Sequence, residues 1–360
     1  MRDRGKRRRK HGAYAYRLYQ NGVSTPADGD WYLRSDMVQP GVPVYQAYPQ
    51  LLLSLNQLGT LQQRVGSRAL SADLRTVSTQ GLEGLWLRTD GMHGSLHPDA
   101  GAGDADQDYD LWRLQAGIDG EIYRNDDGRL IAGLTAQYGT ISGDLRSLAG
   151  NGDISTSGYG VGATLTWYGE RGFYVDAQGQ TTFYDSNLRS DAVGTALADG
   201  NTGFGYALSL EAGQRFDVAG AWSVTPQAQL VYSSVDFGSF NDPFGARVSL
   251  DRGDSLNGRM GLALNREESW QAAGGGMARA QFYGAANLYY EFLDGVSVDV
   301  AGSRFASRGD EVWAGLTLGG SYSWGDERFS VHGEVSAKSL LKDAGDNYAL
   351  GGSVGFRVRW

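Results

Sequence analysis

Apolar and polar residues alternate strictly along much of this chain. At its end Tyr348, Leu350, Gly352, Val354, Phe356, Val358 and Trp360 share one face, while Ala349, Gly351, Ser353, Gly355, Arg357 and Arg359 share the other. The same period of two sets Phe329, Val331, Gly333, Val335 and Ala337 against Ser330, His332, Glu334, Ser336 and Lys338. It recurs through Phe282, Gly284, Ala286, Leu288, Tyr290 and Phe292, and through Phe204, Tyr206, Leu208 and Leu210. Trp112, Leu114, Ala116, Ile118 and Ile122 likewise oppose Arg113, Gln115, Asp119 and Glu121. Alternation alone does not separate a soluble sandwich from a membrane barrel. Strand length does: these segments run roughly 12 to 16 residues, longer than ordinary strands and long enough to cross a bilayer at a tilt.

Turn chemistry orders the strands. Gly- and Asp-rich connections at 125–128, 169–172, 217–220 and 325–327 read as tight hairpins, and they alternate with longer polar connections near 93–108, 142–153, 187–202, 238–253 and 339–347. Short turns at one rim and long loops at the other are the asymmetry of a bacterial outer-membrane barrel. Strands begin near 81, 108, 129, 155, 172, 203, 221, 255, 278, 311, 328 and 347. The predicted fold is therefore all-β, a twelve-stranded antiparallel transmembrane β-barrel. The run from Val296 to Ala301 is assigned to a long extracellular loop, because an odd strand count would leave the chain ends on opposite rims. Tyr168, Phe173, Phe216, Trp222, Trp324, Phe329 and Trp360 fall beside the short turns, as an interfacial aromatic girdle requires.

Residues 43–72 break the period of two. Leu58, Leu61 and Val65 fall at helical spacing with Gln62, Gln63, Arg64 and Arg68 beside them, and Pro49 suits a first turn. Gly59 weakens such a helix by about 1 kcal/mol relative to Ala. An α-helix threading the pore is expected, with Arg64 and Arg68 paired to luminal carboxylates such as Glu121 or Glu211; a helix lying across the periplasmic rim is the alternative.

Composition agrees with many packed strands: Gly is counted at 54 and Pro at 7. No apolar run approaches the length of a membrane helix, and the mean hydropathy of -0.38 reflects strands wetted on one face. Cysteine is absent, which excludes disulfides, thiol nucleophiles and cysteine zinc sites. The net charge of -9 argues against a nucleic-acid partner. The basic opening, Met1 to Lys10, lacks the apolar core and cleavage site of a secretory signal. The chain thus reads as a truncated copy, or as one begun at a misplaced start.

Several motifs were weighed for chemistry. Gly351 to Gly355 matches G-x-S-x-G, yet no helix, Asp or His follows it. Asp104, Asp106, Asp108 and Asp110 imitate the start of a calcium loop, but Tyr109 stands where Gly is required and Gln115 where Glu closes it. His93 and His97 lack further ligands at metal spacing. Gly158, Gly160 and Gly162 suggest room for a pore helix or a bend. No catalytic residue, metal site or cofactor is assigned.

Three segments in order carry a family resemblance: Tyr16-Arg-Leu with Gly29-Asp-Trp-Tyr-Leu-Arg-Ser35; Val44-Tyr-Gln-Ala-Tyr-Pro49; and Leu61-Gln-Gln-Arg-Val-Gly-Ser-Arg68. Gly203 to Tyr206, Thr225 to Leu230 and Phe356 to Trp360 continue it, so the chain from residue 14 onward resembles pertactin-like type V autotransporters. The resemblance implies a twelve-stranded barrel threaded by an α-helix in the bacterial outer membrane, inserted by the outer-membrane assembly machinery, which exports or displays an attached passenger. It divides the chain into a basic non-structural leader (1–12), the end of a passenger β-helix (13–42), a linker and pore helix (43–72) and the barrel (78–360). Some relatives cut the linker between paired asparagines; no such pair exists here, so no cleavage residue is carried over. Phe356, Val358 and Trp360 form the expected assembly signal, an apolar strand offered for edge pairing. The expected partners are outer-membrane lipid, the assembly machinery and the chain's own passenger, with a monomeric barrel. A diffusion porin and a non-functional fragment are the alternatives.

Overall fold

The computed structural model describes residues 9–66, 84–98, 105–272, 275–308, 311–342 and 345–360. The alternating segments become the barrel staves: β4 (Gly84–Leu96), β5 (Asp106–Asn125), β6 (Gly128–Arg146), β7 (Gly152–Gly169), β8 (Phe173–Ser190), β9 (Thr195–Gln214), β11 (Trp222–Phe237), β14 (Asp254–Gln271), β15 (Met277–Glu291), β18 (Val312–Trp324), β19 (Phe329–Leu340) and β20 (Tyr348–Arg359). Each pairs antiparallel with its neighbours, and β20 pairs β4 from Tyr348↔Ser95 to Arg359↔Gly84, which closes twelve strands into a barrel. Closure leaves no edge to be satisfied by water, the condition for a sheet in hydrocarbon. Pro226 lacks a ladder donor and stands in β11 just where its pairing with β9 stops, at Gln227↔Gly213.

Burial decides the orientation of the two faces. Leu134, Leu208, Leu262, Leu316, Val335 and Val354 are each more than half exposed, whereas Asp176, Glu211, Thr225 and Gln281 on the opposite faces are fully buried. An apolar exterior around a polar lumen is the inverse of a soluble barrel.

The rims differ from the sequence reading in three places. A fifth short connection joins β14, which ends at Gln271, to β15, which begins at Met277. The expected loop at 187–202 is mostly strand, because β8 and β9 remain paired out to Ser190↔Thr195. The Val296–Val300 run is a strand, β16, but not a stave: with β12 (Phe240–Asn241), β13 (Arg247–Arg252) and β17 (Ser303–Ser307) it forms a separate four-stranded sheet from the two longest loops. Its Val298 and Val300, with Val248 of β13, pack inward and are fully buried, so the run joins the core inside the barrel mouth rather than facing lipid. β10 (Phe216–Ala219) only extends the β9–β11 turn.

Before the barrel lie β1 (Arg9–His11), β2 (Tyr14–Gln20) and β3 (Trp31–Val38), an antiparallel three-stranded sheet. Residues 9–11 therefore take part in regular structure, unlike the leader expected there; residues 1–8 lie outside the described residues. In the β2–β3 turn the Thr25 hydroxyl donates to Asp28 at 2.6 Å, which holds that carboxyl below its usual value, with the Tyr32 hydroxyl adding at 2.8 Å. α1 (Val42–Leu55) and α2 (Leu61–Val65) follow.

The girdle residues Phe173, Phe216, Trp222 and Trp360 are 40 to 60% exposed beside the short turns, and Trp324 stacks on Phe329 with ring centroids 5.7 Å apart. Tyr168 departs from the expectation: it points into the lumen and is buried with Leu61, Val65, Ile131 and Tyr174. Leu262 faces outward in mid-strand, paired with Pro226 and Ala286. Leu262→Arg is expected to destabilise the barrel by roughly 2–4 kcal/mol. Urea unfolding in lipid vesicles checks this, and an unchanged midpoint would mean that this face does not meet hydrocarbon.

Candidate functional site: the plugged lumen

The segment before β4 enters the lumen from the long-loop rim. α1 is apolar except for a stripe of Gln46, Gln50 and Ser54; Val42, Val44, Tyr45, Tyr48, Leu51 and Leu52 are fully buried. Its surroundings explain this. Around α1, the staves present Ile141, Leu145, Ile154, Leu188, Val235 and Phe237, and the four-stranded sheet adds Val248, Val298 and Val300. Fully burying one such side chain contributes about 1.5–3 kcal/mol. Close approach needs missing side chains: a Cβ on Gly143 would stand 2.6 Å from a Leu51 methyl, and one on Gly139 would stand 2.9 Å from Leu55. These glycines make room for the helix. Gly158, Gly160 and Gly162 do something else, since a Cβ there would meet Tyr184, Thr182 or neighbouring strand backbone.

The predicted single helix is interrupted. From Asn56 to Thr60 the backbone is held by the wall instead of by its own ladder. Asn56 is fully buried; its Nδ2 donates to the Tyr206 carbonyl at 2.9 Å and to Ser233 Oγ at 2.8 Å, while its carbonyl accepts from Gln180 at 2.8 Å. The Gly59 carbonyl accepts from Gln178 at 2.9 Å, and that of Gln57 from Arg113 at 2.6 Å. The helix then restarts as a capping box, with Thr60 and Gln63 each bonding the other's backbone N–H.

α2 docks through charge. Arg64 is buried and reaches Asp176 at 2.5 Å, Thr166 at 3.1 Å and Asp119 at 3.8 Å. Asp119 also accepts from Trp86 Nε1 at 3.2 Å and faces Arg357 at 3.5 Å. Glu211 accepts from the Leu61 backbone N–H at 3.1 Å and the Tyr174 hydroxyl at 2.7 Å, and pairs with Arg259 at 3.4 Å. Three arginines thus meet three carboxylates, a neutral cluster in a site that excludes water.

The residues singled out in the sequence fall as follows. Gln62 is buried, and Gln63 donates to Glu334 at 2.6 Å. Arg64 is luminal but its partners are Asp176 and Asp119, not Glu121 or Glu211. Glu121 sits near the short-turn end of β5 and pairs with Arg124 at 2.6 Å, while Glu211 holds α2 through its backbone. Arg68 lies outside the described residues. Phe356 and Trp360 point outward at 43% and 60% exposure. His93 and His97 make cross-strand contacts with Asp110 at 2.9 Å and Asp106 at 3.5 Å, and Asp108 pairs with Arg146. Ser353 lies within β20 rather than on a strand-to-helix elbow. Reasoning from sequence missed Asp176, Arg259, Gln178 and Gln180; each occupies the polar face of an alternating strand, the one signal available.

The plug is eccentric. Staves β5 to β9 run 18 to 20 residues whereas β18 to β20 run 12 or 13. α1 packs on the tall side, and on the other side a cavity of about 240 Å³ remains, lined by Gln50, Ser54, Tyr289, Trp313 and Lys338 among others.

An apolar exterior, a polar lumen and a plug supplied by the chain's own N-terminal segment define a plugged outer-membrane barrel. The family model of the autotransporter beta-domain matches residues 85–336, and the chain belongs to the autotransporter family. It is 44% identical to the adhesin BmaC autotransporter of Brucella suis over 97% of this chain, and spans 11% of that protein's length. It is 30% identical to the pertactin autotransporter of Bordetella parapertussis over 52% of this chain and 20% of that protein. Among solved structures, the transport unit of AIDA-I from Escherichia coli superposes with a TM-score of 0.67 at 17% identity, covering 89% of this chain and 99% of that one. The translocator domain of NalP from Neisseria meningitidis gives 0.57 at 14%, covering 86% and 92%.

Arg64→Ala leaves Asp176 buried without its cation, a change that costs about 3–5 kcal/mol. The expected result is a loosened α2 and a raised single-channel conductance in planar bilayers, with Asp176→Asn in the same background restoring part of the closure. Conductance unchanged by Arg64→Ala would show that α1 alone seals the lumen.

Proposed function

We propose that this chain is a translocator that brings an attached N-terminal passenger to the cell surface and holds it at the barrel mouth. The observation that carries the reading is the path of the chain: α1 and α2 thread the lumen, and the residues ahead of them form a sheet seated on the long-loop rim. The Gln39 side chain donates to Asp242 at 2.7 Å, the Tyr45 hydroxyl donates to the same carboxylate at 3.2 Å, and Tyr14 packs on Phe305 with ring centroids 6.2 Å apart. Residues 13–42 would be the end of the passenger and 43–72 the linker and plug, of which 67–72 lie outside the described residues. The BmaC relative is named an adhesin, and a passenger of adhesive class is the cargo we propose here. The porin reading is disfavoured, because a packed helix fills most of the lumen.

The direct test places a working signal peptide and an epitope before Ala13 and treats intact Gram-negative cells with external protease. Loss of the epitope is expected; a protected epitope on an inserted barrel would refute export. The outward row of Phe356, Val358 and Trp360 at the closing strand supports a role in recognition by the assembly machinery. Trp360→Asp is accordingly expected to lower the yield of heat-modifiable, membrane-inserted barrel several-fold, and an unchanged yield would remove that role.

A further inference from the structure

The four-stranded sheet at the long-loop rim has two unlike faces. One carries Val248, Val298, Val300 and Phe305 and packs towards α1. The other carries charge that export does not use. Arg252, Arg304 and Arg308 converge with Ser297 and Asp294 on an open cavity of about 300 Å³. The strand period puts them there: Arg304, Ala306 and Arg308 are spaced by two, and Arg252 pairs across to Ser297, which pairs to Ala306. Arg304 is oriented by Asp251 at 2.8 Å and donates to Ser297 Oγ at 3.1 Å; Ser297 is itself fixed on Asp251 at 2.7 Å. Arg252 stands 3.7 Å from Asp294. Arg308 has no ion pair among the described residues, and the pocket lining itself sets three guanidinium groups against one carboxylate, Asp294, with Asp251 held on Arg304 and Asp299 opposite it in register just outside the lining.

We propose that this pocket binds a phosphate group. A carboxylate engages one guanidinium fork, whereas several convergent forks suit a tetrahedral dianion, which accepts from all of them at once. The position selects the source. The pocket lies in the loop sheet of the long-loop rim, the end of an outer-membrane barrel that borders the outer leaflet, and the occupant we propose is a phosphorylated glycolipid of that leaflet, with free phosphate as the other carrier of the same chemistry. Such a contact would brace the sheet that covers α1 against the membrane surface. The inference stands independently of what the barrel exports.

The test uses the full chain folded in neutral detergent and titrated by calorimetry with micelles containing bisphosphorylated lipid A, with dephosphorylated lipid A, and with inorganic phosphate. Arg308→Gln is the informative variant because it breaks no ion pair among the described residues, and heat-modifiable gel mobility verifies that it folds. Binding to the bisphosphorylated lipid, weakened about tenfold by Arg308→Gln and further by adding Arg252→Gln, is expected. Saturable binding of inorganic phosphate alone, with the same losses, upholds the site and assigns it to free phosphate. Equal affinity for both lipids, no loss in the variants, or no binding by any probe overturns it.

Discussion

The seam between β4 and β20 is the constraint on which the rest of the structure depends. In hydrocarbon an unpaired backbone amide has no solvent to turn to, so the sheet must close, and closing it with twelve strands fixes the width of the lumen. That width admits one helix and the side chains around it. The wall yields where the helix presses hardest, through Gly139 and Gly143, and stops yielding at the short staves, where the cavity beside Lys338 remains. Lys338 lies in this space 5.9 Å from the ring centroids of both Tyr289 and Trp313, so the crevice is braced by cation–π contact.

The plug is held by two different kinds of force at its two ends. Around α1 the contacts are mostly apolar, with hydrogen bonds from Tyr45, Gln46 and Tyr48 added at its edges, and the burial of Leu51, Leu52 and Leu55 outweighs any single hydrogen bond, whose net contribution is about 1 kcal/mol. Around α2 and the bend the contacts are directional: Asn56, the Gly59 carbonyl, the Leu61 amide and Arg64 each meet a fixed wall partner. Apolar packing supplies most of the adhesion, and its fit at Gly139 and Gly143 already favours one placement of Leu51 and Leu55. The polar set enforces that placement, because a shift of one residue would leave Arg64 or Asp176 buried and alone. Both tiers therefore hold the plug in one register.

This division explains what the sequence disclosed. All twelve staves were legible because lipid on one side and water on the other impose a strict period of two, visible without knowledge of neighbours. The parity of the strand count kept the Val296–Ala301 run out of the barrel, as found, but its pairing into a loop sheet was not visible, since alternation records that one face is apolar and not what covers it. The helix was placed, but its break was not: Asn56 to Thr60 departs from helical structure because Gln178, Gln180 and Arg113 satisfy its carbonyls, and those residues are distant in sequence. For the same reason Arg64 was recognised as luminal while its partners were not. Asp176 lies 112 residues away, and barrel register alone brings the two together. Tyr168 shows the limit at a turn, where one residue of parity decides between lipid and lumen.

The two rims are closed by opposite means, and the difference bears on retention. At the short-turn end a chain of charge runs across the staves: Arg215 to Glu267 at 3.0 Å, Arg279 to Glu327 at 3.0 Å and Arg359 to Glu327 at 2.9 Å, so the last residues of β20 are tied to the neighbouring turns. At the long-loop end the cover is the apolar face of the four-stranded sheet, and Asp242, in its β12–β13 connection, grips both Gln39, ahead of α1, and Tyr45, within it. A segment that left the lumen would have to expose the apolar surface of α1 and strip Asp242 of its donors together. The segment that leads out of the barrel is thereby held at its mouth by both kinds of contact.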